Sequence, residues 1–261
     1  MITYKEGIRD RILIGVLFFA VILSVVNLIF TNMFVHDLGK VAVDVGLSVV
    51  SFSGLVIIFF MGINLLARDL DRKTIYMVLS RPIARRQYIL GKFSGLGFLV
   101  LTSVIILTLF SAASVKLAML SAPDYIPPDF SWLTFLLAVI FILLSLMIII
   151  ALAIFFTAVT SNSFLAMTLT ACGYFIGQNV EVVRKVYRRD GNETGNEMFR
   201  QLIEIISWIF PDLAAFDLKT TAAYGLPLQA YELCWTGLYG ISYGGIILII
   251  TILIFQRREL A

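Results

Sequence analysis

The side chains able to do chemistry are sparse in this sequence, and their spacing does not suit catalysis. His36 is the single histidine, which excludes a histidine-based triad and any multi-histidine metal site. The pair Gly91-Lys92 resembles the end of a phosphate-binding loop. However, Arg86 stands where that motif has its first glycine, and Phe93 stands where it has Ser or Thr. Cys172 and Cys234 fall inside or at the edge of apolar runs, so they are expected to be buried small apolar residues and not a disulfide or metal pair. Eight methionines with one histidine and two cysteines form no outward cluster for a soft metal. Asn192-Glu193-Thr194 matches a glycosylation sequon, a three-residue pattern common enough to arise by chance. The expectation is a chain with no catalytic centre and no cofactor of its own.

The elements that would position any site follow from composition. The chain is 60% hydrophobic and 14% charged, with a mean hydropathy of +0.96, far from the roughly 25% charge of soluble domains. A bilayer core of about 30 Å needs about 20 apolar residues per helix. Charge-free runs near 12–30, 46–67, 93–115, 132–157, 163–180 and 236–255 predict six transmembrane helices in one all-α, polytopic domain spanning 1–261. The first run follows Lys5, Arg9 and Arg11 but shows no A-x-A-like cleavage site, which predicts a retained anchor. No room is left for a packed nucleotide-binding domain. The net charge of +3 belongs to basic loops and not to a nucleic-acid surface.

Positive residues near span ends stay on the cytoplasmic side. Lys5, Arg9 and Arg11, the basic residues of 68–92, and Arg257 with Arg258 all fall on one side if the N-terminus is inside. Both termini are therefore predicted cytoplasmic. The outer side receives a loop near 31–45, a loop near 117–131 with Pro123, Pro127 and Pro128, and the long segment 181–235. In that segment Phe199, Leu202, Ile203, Ile206, Ile209 and Phe210 recur at helical spacing before Pro211, predicting an interfacial amphipathic helix over 197–210. Trp132, Trp208 and Trp235 are expected to form an outer aromatic belt. Within the six runs there is no Asp, Glu, Lys, Arg or His away from the ends, so no intramembrane ion relay is expected. Ser and Thr there, including Ser51, Ser53, Thr102, Ser103 and Thr168, are expected to bond between helices. The pairs Gly91/Gly95, Gly173/Gly177 and Gly240/Gly244 are expected to mark close helix packing.

One inner loop is both long and strongly basic. Residues 68–92 carry Arg68, Arg72, Lys73, Arg81, Arg85, Arg86 and Lys92 against Asp69 and Asp71. Asp69 or Asp71 can cap a short helix with Ile75, Val78 and Leu79 on one face, and Pro82 ends it. A second basic turn, Arg85 to Tyr88, leads through Gly91 into the third span. On physics alone such a loop would suit anionic lipid.

Its wording is more specific than that. Asp69, Thr74, Leu79-Ser80-Arg81-Pro82-Ile83-Ala84-Arg85 and Leu90-Gly91-Lys92 resemble the signature of ABC-2-type transporter permeases, placed as in that family between the second and third spans. Tyr4-Lys5-Glu6 through Arg9-Asp10-Arg11, and Ile209-Phe210-Pro211-Asp212-Leu213 with Phe216-Asp217, also fit the family, so the similarity extends over the chain. Asp69 stands where Glu is commoner. The resemblance implies a type V exporter-like permease fold and a homodimer that docks separate ATP-binding cassette subunits, which bind the ATP. It also implies a bacterial inner membrane and an elbow formed by 1–11. The loop helix would couple cassette to permease through Ile75, Met77 and Val78, oriented by Asp69, Arg72, Lys73, Thr74, Arg81, Pro82, Arg85 and Arg86. The segment 181–235 would be free to meet an outer partner. The alternative is a non-transporting scaffold or assembly factor whose basic loop binds lipid.

Overall fold

The computed structural model describes residues 38–62, 85–121, 130–160, 162–189 and 204–257, together with Gly15, Phe18, Val21, Ile22 and Val25. Among the described residues there are helices and no strands. In chain order these are α1 (Leu38–Ile57), which ends in a π-helical stretch (Ile58–Gly62), then α2 (Arg85–Ser121), α3 (Trp132–Val159) and α4 (Ser163–Arg189). A 3-10 turn (Ala214–Phe216), α5 (Lys219–Tyr224) and α6 (Ala230–Arg257) complete the order. Residues 204–209 are also helical.

The sequence explains which helix takes the centre. α3 is the most apolar of them and buries residues on every side, from Phe135, Ala138 and Phe141 to the run Ile148–Ile154. A helix apolar all round needs neighbours all round, and α3 packs against α1, α2, α4, α5 and α6. Small residues let two of them approach closely. A Cβ on Gly54 of α1 would lie 2.5 Å from Leu146 Cδ1, and one on Gly97 of α2 would lie 3.1 Å from Met147 Cε. Ser131 starts α3 by accepting the Leu133 N–H at 3.3 Å. Asn162 opens α4 in the same way, with its Oδ1 accepting the Phe164 N–H at 2.9 Å.

Among the described residues, four helices are long and apolar enough to cross a bilayer, over Gly39–Phe60, Arg85–Leu117, Trp132–Val159 and Ala230–Arg257. The six predicted spans are therefore matched only in part. The first, near 12–30, lies almost wholly outside the described residues; Gly15, Phe18, Val21, Ile22 and Val25 are helical there, and Phe18, Ile22 and Val25 are exposed. The fifth, predicted over 163–180, does form a helix, but α4 runs on to Arg189 and is not among the four. Its buried stripe is mostly small, comprising Ala166, Thr170, Gly173, Gly177 and Val180, while Thr168 and Asn179 face outward.

Other boundaries move outward too. α1 begins at Leu38 and not at 46, because Ala42, Val43 and Leu47 bury one face of its early turns. Lys40 and Asp44 therefore lie in the first two turns of this helix and not in a loop. The helix containing the third span begins at Arg85, so Arg85–Lys92 is helical and not loop. The supposed outer segment 181–235 loses its first nine residues to α4 and its last six to α6.

The hydroxyls and cysteines also depart from expectation. Ser103, Thr157, Thr170 and Thr251 each donate to the carbonyl four residues back in their own helix, at 3.0, 2.7, 2.7 and 2.7 Å. They do not bridge helices, because a hydroxyl on a helix finds its own i−4 carbonyl within reach. Cys172 and Cys234 are free and exposed, not buried. Each lies off the buried stripe of its helix, where an apolar thiol can face lipid as readily as a core.

Candidate functional site

The predicted coupling loop is described only at its end. Asp69, Arg72, Lys73, Thr74, Ile75, Met77, Val78, Arg81 and Pro82 lie outside the described residues, as do the 1–11 elbow, His36 and the 192–194 sequon. Arg85 and Arg86 are described, and α2 separates them. Arg86 is exposed. Arg85 turns inward, and its Nη1 donates to the carbonyl oxygens of Phe255 at 3.1 Å and Gln256 at 2.9 Å, in the last turn of α6.

An apolar contact backs that bond. The rings of Tyr88 and Phe255 stack with centroids 5.8 Å apart and planes 14° from parallel. One turn on, Lys92 is 7% exposed, with its Nζ 6.0 Å from the Tyr88 ring centroid, a cation set over an aromatic face. A gap of about 10 Å³ lies nearby, lined by Ile57, Ile58, Leu96, Leu99, Val100, Ile150 and Ala153. It is apolar and has room for no more than a water. Among the described residues, this end of α6 is a packed junction.

A second cluster lies toward the other end of α6, and sequence reasoning finds its residues without finding their contacts. Residues 209–216 run back alongside α4 and α6. Tyr243 donates to the Ile209 carbonyl at 2.6 Å, and Tyr239 accepts the Asp212 N–H at 3.0 Å. These tyrosines stand 13 and 9 residues past Ala230, about 14–20 Å along the helix at 1.5 Å per residue. On α4, the Leu213 N–H donates to the Gly177 carbonyl at 3.0 Å.

The glycine steps have a specific use here. A Cβ on Gly177 would come within 2.7 Å of the Pro211 carbonyl oxygen, and one on Gly240 within 2.8 Å of the Phe216 ring. Gly173 and Gly177 thus admit an irregular segment, not another helix as expected. A Cβ added at Gly91 or Gly244 would meet nothing within 4 Å, so those two serve no close approach. The stretch Gly240-Ile241-Ser242-Tyr243-Gly244 has the spacing of a hydrolase nucleophile elbow, but it runs inside unbroken helix, and the single histidine lies far away in sequence at His36.

The segment also caps itself. Asp212 Oδ1 accepts the N–H groups of Ala214 at 3.1 Å and Ala215 at 3.3 Å, opening the 3-10 turn. Burial pushes the Asp212 carboxyl above the usual carboxylate range; Glu181 adds to that, and the two N–H bonds and Lys185 oppose it. Phe216 is buried between Phe141 and Tyr239, with ring centroids 6.2 Å away in each case. Asp217 accepts the Lys219 N–H at 3.1 Å and pairs with its ammonium at 3.3 Å at the start of α5. Gly225, at φ 64°, ends that helix in the left-handed conformation. Lys40 of α1 lies 5.2 Å over the Tyr224 ring, fastening α5 to the first turn of α1.

The predicted amphipathic helix over 197–210 is described from 204 onward. Ile205, Trp208 and Ile209 are all more than half exposed, which suits contact with lipid. Trp132 lies in the first turn of α3 and Trp235 in the second turn of α6. Among the described residues no group of three or more His, Cys, Asp or Glu is placed to hold a metal.

Comparison with known proteins adds the family. No curated protein matches the chain significantly. Residues 4–180 match the family model described as ABC-2 family transporter protein. The matched stretch includes the 69–92 motif and ends before the 209–217 segment and α6, so the resemblance read over the whole chain is supported for its larger part. Four apolar helices among the described residues and a family match over more than half of its length place this chain, an integral membrane protein, in the ABC-2 family of transporter proteins.

Proposed function

We propose that this chain is the permease subunit of an ATP-binding cassette transporter and that it couples ATP hydrolysis in a separate cassette subunit to export, or to force transmission, across the inner membrane. The observation that carries this reading is the family match over 4–180, because it contains the motif 69–92. In this reading the first span and α4 join the four apolar helices to make six, and both termini are cytoplasmic. Two copies form the working unit. Asp69, Arg72, Lys73, Thr74, Ile75, Met77, Val78, Arg81, Pro82 and Arg86 meet the cassette, with the apolar members gripped and the charged ones setting orientation. Arg86, exposed at the start of α2, has the position such a contact needs. Arg85 serves the same loop from within the permease.

The test is affinity purification of the tagged chain from native membranes, with mass spectrometry and an ATPase assay. Recovery of a stoichiometric cassette subunit, lost when Arg81 and Arg86 are changed to Glu, is the expected result. Recovery of the intact chain with no ATPase under any mild extraction would sink the reading in favour of a lipid-bound scaffold.

A further inference from the structure

The last helix is held at two levels. Its inner end is gripped by Arg85 and Tyr88, while Tyr243 and Tyr239, 12 and 16 residues earlier, hold the backbone of 209–212. Between the grips α6 is unbroken helix, about 18–24 Å of it. A continuous i→i−4 ladder carries a displacement along its axis without absorbing it, unlike a loop.

The placement of Arg85 is not explained by its own helix. A cation in the first turn stands at the positive end of the α2 dipole, and that turn itself holds no acidic residue. Across the junction the sign reverses. The last carbonyls of α6 form the negative end of that helix, where a guanidinium donating to two of them satisfies orphan acceptors and opposes the dipole charge. The side chain is therefore in the wrong place for α2 and the right place for α6. It also lies where the cytoplasmic loop passes into helix.

We propose that Arg85 is a positioning residue that locks the inner end of α6 to the start of α2, so that displacement of the cytoplasmic loop is delivered along α6 to the outer segment 209–216. The proposal rests on the permease reading only for the source of the displacement. The mechanical link is a property of this chain alone and is tested without any partner.

Trp208 supplies a native reporter, being 86% exposed and next to Ile209, whose carbonyl Tyr243 holds. With Trp132→Phe and Trp235→Phe, it is the one remaining tryptophan. The full chain is placed in lipid nanodiscs, and Trp208 quenching by iodide and by brominated lipid is measured. Arg85→Ala and Tyr88→Leu are each expected to change the quenching constants by about twofold or more. Arg85→Lys, which keeps a cationic donor for the carbonyls, is expected to show less than half that change. Arg86→Ala, which removes the exposed neighbour, is expected to show none.

Unchanged quenching in Arg85→Ala overturns the proposal, and so does an equal response to Arg86→Ala. If Arg85→Ala does not fold, Tyr88→Leu decides the matter alone. A link that responds as expected in a chain that recovers no cassette leaves the junction standing and removes the permease reading. A recovered cassette with unresponsive Trp208 does the reverse.

Discussion

The last turn of α6 and its middle are fastened by opposite means. At the last turn a charged side chain donates to two carbonyls, and a ring stack supports it. At the middle the partner is another stretch of chain, admitted by Gly177 beside the Pro211 carbonyl and by Gly240 beside the Phe216 ring, and held by two tyrosine hydroxyls. A guanidinium donating to two carbonyls is held by charge-assisted bonds, whereas backbone packed on a glycine is held by a contact that leaves no room for a side chain. The arginine junction is therefore made by charge and directed bonds, and the glycine junction by close backbone packing.

That contrast is open to direct attack. Gly177→Val should be the most damaging change, because its Cβ would meet the Pro211 carbonyl, which cannot rotate away. We expect a loss of about 1–3 kcal/mol from overpacking, read as a lowered thermal midpoint in lipid. Arg85→Ala should cost about 1–2 kcal/mol, the worth of a partly solvated charge-assisted bond at a helix end, and the loss should shrink in high salt. Insensitivity to salt would show that the bond is not electrostatic. Tyr243→Phe keeps the ring and removes only the hydroxyl donated to Ile209, so about 1 kcal/mol should be lost, with no salt dependence.

Gly91→Ala sharpens the comparison from the other side. Its Cβ would enter open space, so the helix should gain about 0.5 kcal/mol from reduced chain entropy, against a clear loss at Gly177. The smallest effect belongs to Asp212→Asn. With its folded-state carboxyl titrating above the unfolded one, the ionised form opposes the fold, and that penalty grows as pH rises from the unfolded value through the folded value. Asn retains an oxygen for the Ala214 and Ala215 N–H groups and removes the charge. Denaturation above that window should show no loss of stability, and less pH dependence than in the parent. A drop at neutral pH would mean that the charge itself is used.

Much of the architecture is legible in the order of residues, for particular reasons. The sequence predicts α3 over 132–157, and it is found over Trp132–Val159, because its run has no charge and begins behind a Ser cap. The family is legible in residues 69–92, where spacing between Pro, Arg and Gly-Lys is more restrictive than hydropathy. Boundaries are less legible. Lys40, Asp44 and Arg85–Lys92 read as loop residues because charge commonly ends a span, yet long helices project past the bilayer core. α2, at 37 residues, is about 55 Å long, against about 30 Å of hydrocarbon. The exposed cysteines read as buried because lipid makes apolar residues silent about burial.

Sequence by itself determined that this chain is a helical membrane protein, which run is most apolar, and which loop bears the family's motif. These are properties of neighbouring residues: hydropathy over a bilayer's length, caps and basic loops. Only the tertiary structure decided that Arg85 belongs to the end of α6, 170 residues away, and that Gly173 and Gly177 receive the 209–213 segment in place of a helix. Such contacts depend on which elements lie side by side, and a glycine or an arginine in a sequence looks the same whatever fills the space beside it.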